Sequence, residues 1–122
     1  MPRNMSFALT THQILRRTKT VTRRLGWKAL KPGALFWACE KCQGLKKGER
    51  IKRLALLRCV SNREEGLNEI TGLDLNREGF PTLTRGEFIK MFCREMGGGP
   101  TQRVQRIKFE YAEQKGGTTD ES

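Results

Sequence analysis

Acidic residues are missing from the first third of the chain, because none precedes Glu40 in a sequence of 122 residues. The same stretch holds eight basic residues, which are Arg3, Arg16, Arg17, Lys19, Arg23, Arg24, Lys28 and Lys31. Since no carboxylate is near them in sequence, we expect these cations to be free to meet an anionic partner. The whole chain has a formal net charge of +11, and nucleic acid is the commonest partner of so basic a domain. A basic surface that only confers solubility is the alternative.

Long apolar runs are also missing. No segment approaches the ~18 apolar residues of a membrane span, and the N-terminus lacks the apolar core of a signal peptide. We therefore expect no membrane association and a cytoplasmic location. Cysteine is scarce too, with four residues. Cys39 and Cys42 have the spacing of half a zinc site, but no second pair follows, so we expect reduced, buried thiols and neither a metal nor a cofactor.

The length of the chain suits one domain, which we place at residues 1–111, followed by a tail at 112–122 that we expect to be disordered. Alternating and apolar patterns predict strands at residues 7–10, 18–25, 34–40, 51–61 and 104–111. Helices are predicted up to residue 17, within 67–79 and over 84–96, the last with a capping box formed by Thr84 and Glu87. Strands come from both ends of the chain without regular strand-helix alternation. This order favours an α+β fold, a small mixed β-barrel of about five strands with two or three packed helices.

The segment from Thr18 to Arg24 combines hydroxyls, a lysine and an arginine pair in a pattern typical of a strand. On an ideal strand Lys19 and Thr22 would lie on opposite faces. They converge on one pocket only if a bulge or turn breaks the alternation between them. A solvated basic strand surface is the alternative.

Other candidates for contact with nucleic acid lie outside this segment. A basic loop, predicted to be mobile over residues 43–50, would make sequence-independent phosphate contacts together with Lys41. Trp27 follows Gly26 in a basic turn, where its ring would either stack on a base or pack at the edge of the barrel. The cationic candidates in and before the loop are Lys41, Lys46, Lys47 and Arg50.

Four segments together resemble the ASCH domain family, and in particular its small stand-alone members from bacteriophage and prophage genomes. They are R-T-K-T-V-T-R-R, a K-P-G turn, R-E-G-F-P-T-L-T-R-G-E-F and the closing V-Q-R-I-K-F-E-Y, and the resemblance covers about residues 5–111. The family pattern G-x-K-x-x-[E/T]-x-R falls on Arg17, Lys19, Thr22 and Arg24, with Arg17 in the place of the glycine. The resemblance implies a PUA-like β-barrel and a nucleic acid or nucleoside as ligand.

The resemblance also implies candidate catalytic residues. Some small ASCH proteins remove the acetyl group from N4-acetylcytidine with a lysine, a threonine and a glutamate, and these roles map onto Lys19, Thr22 and Glu78. Alternatively, Glu78 only forms a salt bridge with Arg77 or Arg24. The residues expected to contact nucleic acid are Arg17, Arg23, Arg24, Trp27, Lys41, Lys46, Lys47 and Arg50.

Three functions follow from these interpretations. The first is an ASCH-type module that binds RNA or a nucleotide in a basic cleft. The second is an enzyme, either an amidohydrolase acting on a modified nucleoside or a ribonuclease. The third is a phage accessory protein that binds an acidic host protein. The sequence leaves open whether the ligand is RNA, DNA or a free nucleoside, and it does not fix the oligomeric state.

Overall fold

A five-stranded mixed sheet forms the centre of the protein in the computed structural model, which describes residues 2–42 and 45–112. The strands are β1 (Arg3–Ser6), β2 (Val21–Arg24), β3 (Leu35–Cys39), β4 (Arg53–Gly66) and β5 (Arg103–Tyr111). Their order in the sheet is β1-β3-β4-β5-β2, in which β1 pairs with β3 in parallel and the other pairs are antiparallel. The sheet curls into a half-barrel. The predicted α+β class is confirmed.

Three α-helices accompany the sheet: α1 (Thr11–Leu15), α2 (Gly72–Glu78) and α3 (Arg85–Met96). Single turns of 3-10 helix occupy Ala8–Thr10 and Leu67–Glu69. The predicted capping box of α3 is confirmed, because the Thr84 hydroxyl accepts a hydrogen bond from the Glu87 amide at 3.1 Å and the Glu87 carboxylate accepts one from the Thr84 amide at 2.8 Å. No helix in the described part of the chain has the length and hydropathy needed to cross a bilayer.

Two apolar clusters stabilise the fold. One lies under the sheet and α1, and its fully buried members include Phe7, Ile14, Phe36, Leu57 and Phe109. The other joins α2, α3 and the start of β5, and consists of Leu67, Ile70, Leu75, Phe88, Phe92 and Val104. The second cluster holds α2 in place, and α2 in turn contacts β2. This contact brings the end of α2 to the basic segment singled out in the sequence.

The first strand was predicted at the wrong place. Residues 8–10 form a 3-10 turn instead, and the strand precedes them at Arg3–Ser6. The backbone carbonyl of Phe7 accepts hydrogen bonds from the Thr10 amide at 3.0 Å and the Thr11 hydroxyl at 3.1 Å, so the chain turns locally. Arg3–Ser6 becomes a strand because it gains a parallel partner in β3, which is distant in sequence.

Strand β2 is shorter than the predicted strand at residues 18–25. Arg17 adopts a left-handed conformation with φ of 61°, and the Thr18 and Lys19 amides both donate to the Gln13 carbonyl, at 2.9 and 3.4 Å. The Thr20 amide donates to the backbone carbonyl of Arg77 at 2.8 Å. Lys19 therefore lies ahead of the strand, in irregular backbone. The alternation begins only at Val21, so it does not separate Lys19 from Thr22.

Strand β4 is longer than the predicted strand at residues 51–61. A β-bulge lies between Cys59 and Ser61, and beyond it residues 62–66 pair with the first half of β5. Their sequence, N-R-E-E-G, is charged and has no apolar periodicity, so the sequence pattern did not predict this part of the strand. The predicted helix at 67–79 is a 3-10 turn followed by the shorter α2. Residues 43 and 44 of the predicted loop, and all of the predicted tail after residue 112, lie outside the described residues.

Candidate functional site

A cavity of about 700 Å³ opens beside β2 and the end of α2. Its walls come from β1 and the turn after it, from β2, from the end of α2 and from one side of α3. One wall is polar and includes Lys19, Thr22, Arg24 and Glu78. The other is apolar and aromatic, formed by Phe80, Phe88, Met91, Phe92 and Met96. Its volume is in the range of small-molecule sites.

The three residues predicted to be catalytic, Lys19, Thr22 and Glu78, line this cavity together, and each is 2% exposed. Lys19 Nζ donates a hydrogen bond to Glu78 Oε1 at 2.8 Å and another to the Glu78 carbonyl at 2.6 Å. That carbonyl is left without an intrahelical partner because α2 ends at Gly79, whose φ of 94° is left-handed. A cation at this helix end also meets the negative end of the helix dipole.

Burial lowers the pKa of Lys19, because removing the ammonium from water costs more than the attraction of Glu78 returns. The neighbouring guanidinium groups of Arg24 and Arg23 lower this pKa further. An ammonium has three protons, and two of them are donated to Glu78. One donor of the Lys19 ammonium therefore remains for a ligand in the cavity.

Arg23 is buried in a carboxylate cluster. Its guanidinium contacts Glu65 Oε2 at 2.6 Å, Asp74 Oδ2 at 2.6 Å and Glu78 Oε2 at 3.1 Å. The expectation that the early cations are free of carboxylates is thus wrong for Lys19 and Arg23, which Glu65, Asp74 and Glu78 reach from distant parts of the chain. It is also wrong for the exposed Lys28, which lies 3.7 Å from Glu64. The expected partners of Glu78 were also wrong, since Glu78 pairs with Lys19 and Arg23 rather than with Arg77 or Arg24.

Asp74 is the central acceptor of the cluster. Arg106 binds both of its oxygens, at 2.7 and 3.0 Å, and Arg77 and Arg23 each bind one, at 3.0 and 2.6 Å. Burial alone would raise the pKa of Asp74, but the hydrogen bonds from Arg106, Arg23 and Arg77 outweigh it and lower the pKa well below the ordinary value. The cluster fixes α2 on β2 and β5, and with it the position of Glu78.

Arg24 differs from its neighbour. Its Nε donates to Thr22 Oγ1 at 3.0 Å, and its guanidinium lies 4.5 Å from the centre of the Phe7 ring. No carboxylate lies within 4.0 Å of it in the part of the chain that the structure describes. Burial lowers the pKa of Arg24 to about 10, and the nearby Glu78 offsets the effect only in part.

The remaining predicted contacts are spread more widely. Trp27 lines the cavity but also packs on the sheet core, at 6.3 Å from Phe36 between ring centres, and Arg3 covers its ring at 3.9 Å. Arg17 is exposed and lies 5.3 Å from the Tyr111 ring. Lys41 lines the cavity and is 3.7 Å from Glu49. Lys46, Lys47 and Arg50 are exposed and do not line the cavity.

Cys39 is buried and Cys42 is partly buried, and both are free thiols. Burial and the neighbouring Cys42 together raise the pKa of Cys39 to about 11. Over residues 2–42 and 45–112, no three histidine, cysteine or acidic side chains come together as a metal site would require.

Sequence reasoning missed several residues of the site. Arg3 was counted as one more basic residue, and Phe80 was noted only as part of a sequence pattern. Glu65 and Arg106 gave no signal, because they lie on strands where alternation predicts only which face they occupy. Asp74 falls within the helix predicted at 67–79, but the sequence assigned it no role. The excess of basic over acidic residues near the N-terminus was the one signal that buried arginines there would pair with acidic residues from distant parts of the chain.

Comparison with known proteins identifies the fold. No protein-family model and no curated protein matches the chain. A crystal structure of protein EF3133 from Enterococcus faecalis, of the DUF984 family model, superposes with a TM-score of 0.66 at 16% identity, over 92% of this chain and 80% of that one. The crystal structure of an ASCH domain from Lactobacillus crispatus gives a TM-score of 0.57 at 15% identity, over 89% and 78% of the two chains. This chain therefore has an ASCH-like fold, as its sequence motifs suggested.

Proposed function

We propose that the cavity binds one nucleoside unit of RNA. The buried Lys19–Glu78 pair at the cavity wall carries this proposal, because it places a donor and an acceptor side by side. The edge of a nucleobase presents donors and acceptors with a similar spacing, and proteins read unpaired bases along these edges. Thr22 adds a hydroxyl to the same wall.

The aromatic wall supports the same ligand. Phe80 lines the cavity and is only partly buried, and an aromatic ring of this kind can stack on any base. The exposed Lys46, Lys47 and Arg50 would then contact the phosphates of the strand outside the cavity. An acidic protein partner would use the exposed cations but would leave the buried pair without a role.

The substitution Lys19→Met tests the proposal. It removes the ammonium but keeps the apolar stem, and Glu78 retains a cationic partner in Arg23. We expect affinity for short single-stranded RNA and for the preferred nucleoside to fall by at least about tenfold, measured by fluorescence anisotropy and calorimetry. The matched control is Lys28→Met, because the Lys28 side chain is 81% exposed and outside the cavity. Equal affinity in the two variants, with both folded, would rule the proposal out.

A second candidate function is hydrolysis of the N4-acetyl amide of a modified cytidine. Two observations favour it: burial lowers the pKa of Lys19, and Thr22 Oγ1 accepts a bond from Arg24, which leaves the Thr22 proton free to be donated. Neutral Lys19 would take that proton as Thr22 Oγ attacks the acetyl carbon, and Glu78 would relay the same proton from Lys19 to the cytidine amine as its bond to the acetyl carbon breaks. Water then hydrolyses the acetyl-threonine ester, and acetate leaves.

The enzymatic function has a direct assay. Incubation with N4-acetylcytidine should release cytidine and acetate in equal amounts, at a rate that rises with pH as Lys19 loses its proton. Thr22→Val removes the nucleophile and should abolish turnover, whereas Thr20→Val, two residues earlier and not lining the cavity, should not. Binding without turnover by the wild-type protein would exclude this candidate and leave the binding function intact.

A further inference from the structure

The cavity contains two arginines that the fold leaves without carboxylate partners. Five of its lining side chains are cationic, and two are carboxylates, Glu78 and Glu95. Glu78 forms salt bridges with Lys19 and Arg23, and Glu95 pairs with Arg94 at 3.3 Å. Arg3 and Arg24 lie within 4.0 Å of no carboxylate among residues 2–42 and 45–112.

Both arginines are held in place by aromatic rings. The Arg3 guanidinium lies 3.9 Å from the centre of the Trp27 ring, and the Arg24 guanidinium lies 4.5 Å from the centre of Phe7. All four residues line the cavity. Stacking fixes the plane of a guanidinium and leaves its N–H groups at the edge free to donate. The Nη groups of Arg24 make no hydrogen bond within the described residues, since its only bond is from Nε to Thr22.

The adjacent residue shows that the fold can neutralise an arginine in this region. Arg23 is surrounded by three carboxylates, whereas Arg24 is partly buried and has no carboxylate within 4.0 Å among the described residues. A cation that is desolvated without a partner is costly, and an anion that binds there recovers the cost. Planar guanidinium groups suit the oxygens of phosphate in particular, because they donate two parallel hydrogen bonds.

We propose that Arg3 and Arg24 form a phosphate subsite within the cavity, so that the ligand is a phosphorylated nucleotide rather than a free nucleoside. This inference rests on the proposed nucleoside site and specifies its substrate class. The phosphate belongs either to a mononucleotide or to a diester next to the bound nucleoside in an RNA strand. The subsite is separate from the phosphate contacts proposed for Lys46, Lys47 and Arg50, which do not line the cavity.

Calorimetric titrations with the four ribonucleosides, their 5′- and 3′-monophosphates and the matching dinucleotides test the inference. We expect the best monophosphate to bind the wild-type protein at least about tenfold more tightly than its nucleoside. Arg24→Gln and Arg3→Gln should each remove most of this difference, measured as the ratio of monophosphate to nucleoside affinity within the same variant. A dinucleotide that binds more tightly than either monophosphate would identify a diester as the natural source of the phosphate, and the reverse order a mononucleotide.

The control is Arg53→Gln, which removes the same charge from an exposed arginine that lies 4.8 Å from the Trp37 ring outside the cavity. It should keep the full preference for monophosphates. Arg24→Lys retains the charge but not the planar donors, and should keep part of the preference. Equal affinity for nucleosides and monophosphates would overturn the phosphate subsite and leave the nucleoside site standing. Absence of binding by every compound would overturn both.

Discussion

Arg23 and Arg24 are adjacent in sequence, yet the fold gives them opposite tasks. Arg23 ties Glu65, Asp74 and Glu78 together inside the protein, whereas Arg24 stacks on Phe7 at the cavity. Strand alternation separates them, because neighbouring side chains of β2 lie on opposite faces of the sheet. Within this four-residue strand, Arg23 therefore serves mainly to hold α2 in place, whereas Thr22 and Arg24 contribute to the cavity lining.

Glu78 links the cavity to the buried carboxylate cluster, since it accepts hydrogen bonds from both Lys19 and Arg23. Removing its charge leaves two buried cations short of a partner. We expect Glu78→Gln to lower the free energy of unfolding by about 3 kcal/mol. Urea denaturation followed by circular dichroism measures this change.

An exposed ion pair provides the matched control for Glu78. Glu110 pairs with Arg58 at 2.7 Å, and both side chains are substantially exposed. Glu110→Gln should therefore change the free energy of unfolding by less than about 1 kcal/mol. Similar losses in the two variants would show that burial of the Glu78 cluster contributes nothing extra.

At the scale of the secondary-structure elements, helix α2 is attached to the sheet chiefly by salt bridges. It has seven residues, too few to be stable alone, and Asp74 in its first turn binds Arg23 of β2 and Arg106 of β5. The pKa of Asp74 is lowered in the folded protein, so the unfolded chain binds the proton more readily. Its contribution to stability is thus complete above the unfolded value of about 4 and is lost as the pH falls towards the folded value.

The lowered pKa of Asp74 predicts that the effect of Asp74→Asn on stability depends on pH. The variant should be less stable than the wild type near neutral pH, and the difference should shrink steadily as the pH falls below about 4. Thermal unfolding over a series of acidic buffers measures the difference. Glu40→Gln, at an exposed pair 3.7 Å from Lys52, should show a small difference at every pH. A constant gap between wild type and Asp74→Asn down to low pH would contradict the assigned pKa shift.

Helix α3 is the element that the sequence predicted best. The sequence predicted a helix over residues 84–96 with a capping box, which is a local signal, and both the helix and its cap were confirmed. Thr84→Ala should lower the free energy of unfolding by about 1 kcal/mol, and Thr84→Ser should restore it. Because the cap is not among the residues that line the cavity, nucleotide affinity should not change. A large loss of affinity in folded Thr84→Ala would mean that the helix end positions the cavity wall.

The errors in the predicted strands have a common physical cause. β1 and the charged end of β4 become strands through pairing with β3 and β5, and neither has an apolar alternation of its own. In the same way, the motif residues Lys19, Thr22 and Glu78 could be picked out from sequence, but the buried partners Glu65 and Arg106 could not. Contacts between residues far apart in the chain leave no local trace in the sequence.

At the scale of the whole molecule, the net positive charge adds a long-range attraction for anions to any binding in the cavity. The net charge of +11 should attract any polyanion, whereas the nucleotide site proposed in the cavity would select one nucleotide unit. The two contributions differ in their response to salt, because contacts with strand phosphates release counterions and contacts with a base do not. Salt titration therefore separates them.

The triple substitution of Lys46, Lys47 and Arg50 by glutamine applies this distinction. It should weaken RNA binding and lower the slope of log affinity against log salt by about 2 to 3, because each lost phosphate contact lowers the slope by about 1. Affinity for a mononucleotide should stay the same, since none of the three residues lines the cavity. The control is a triple substitution of Arg16, Lys90 and Lys108 by glutamine, because these residues are exposed outside the cavity and the substitutions remove equal charge. If both triple variants lower the slope equally, net charge alone, and not the loop, accounts for the salt dependence.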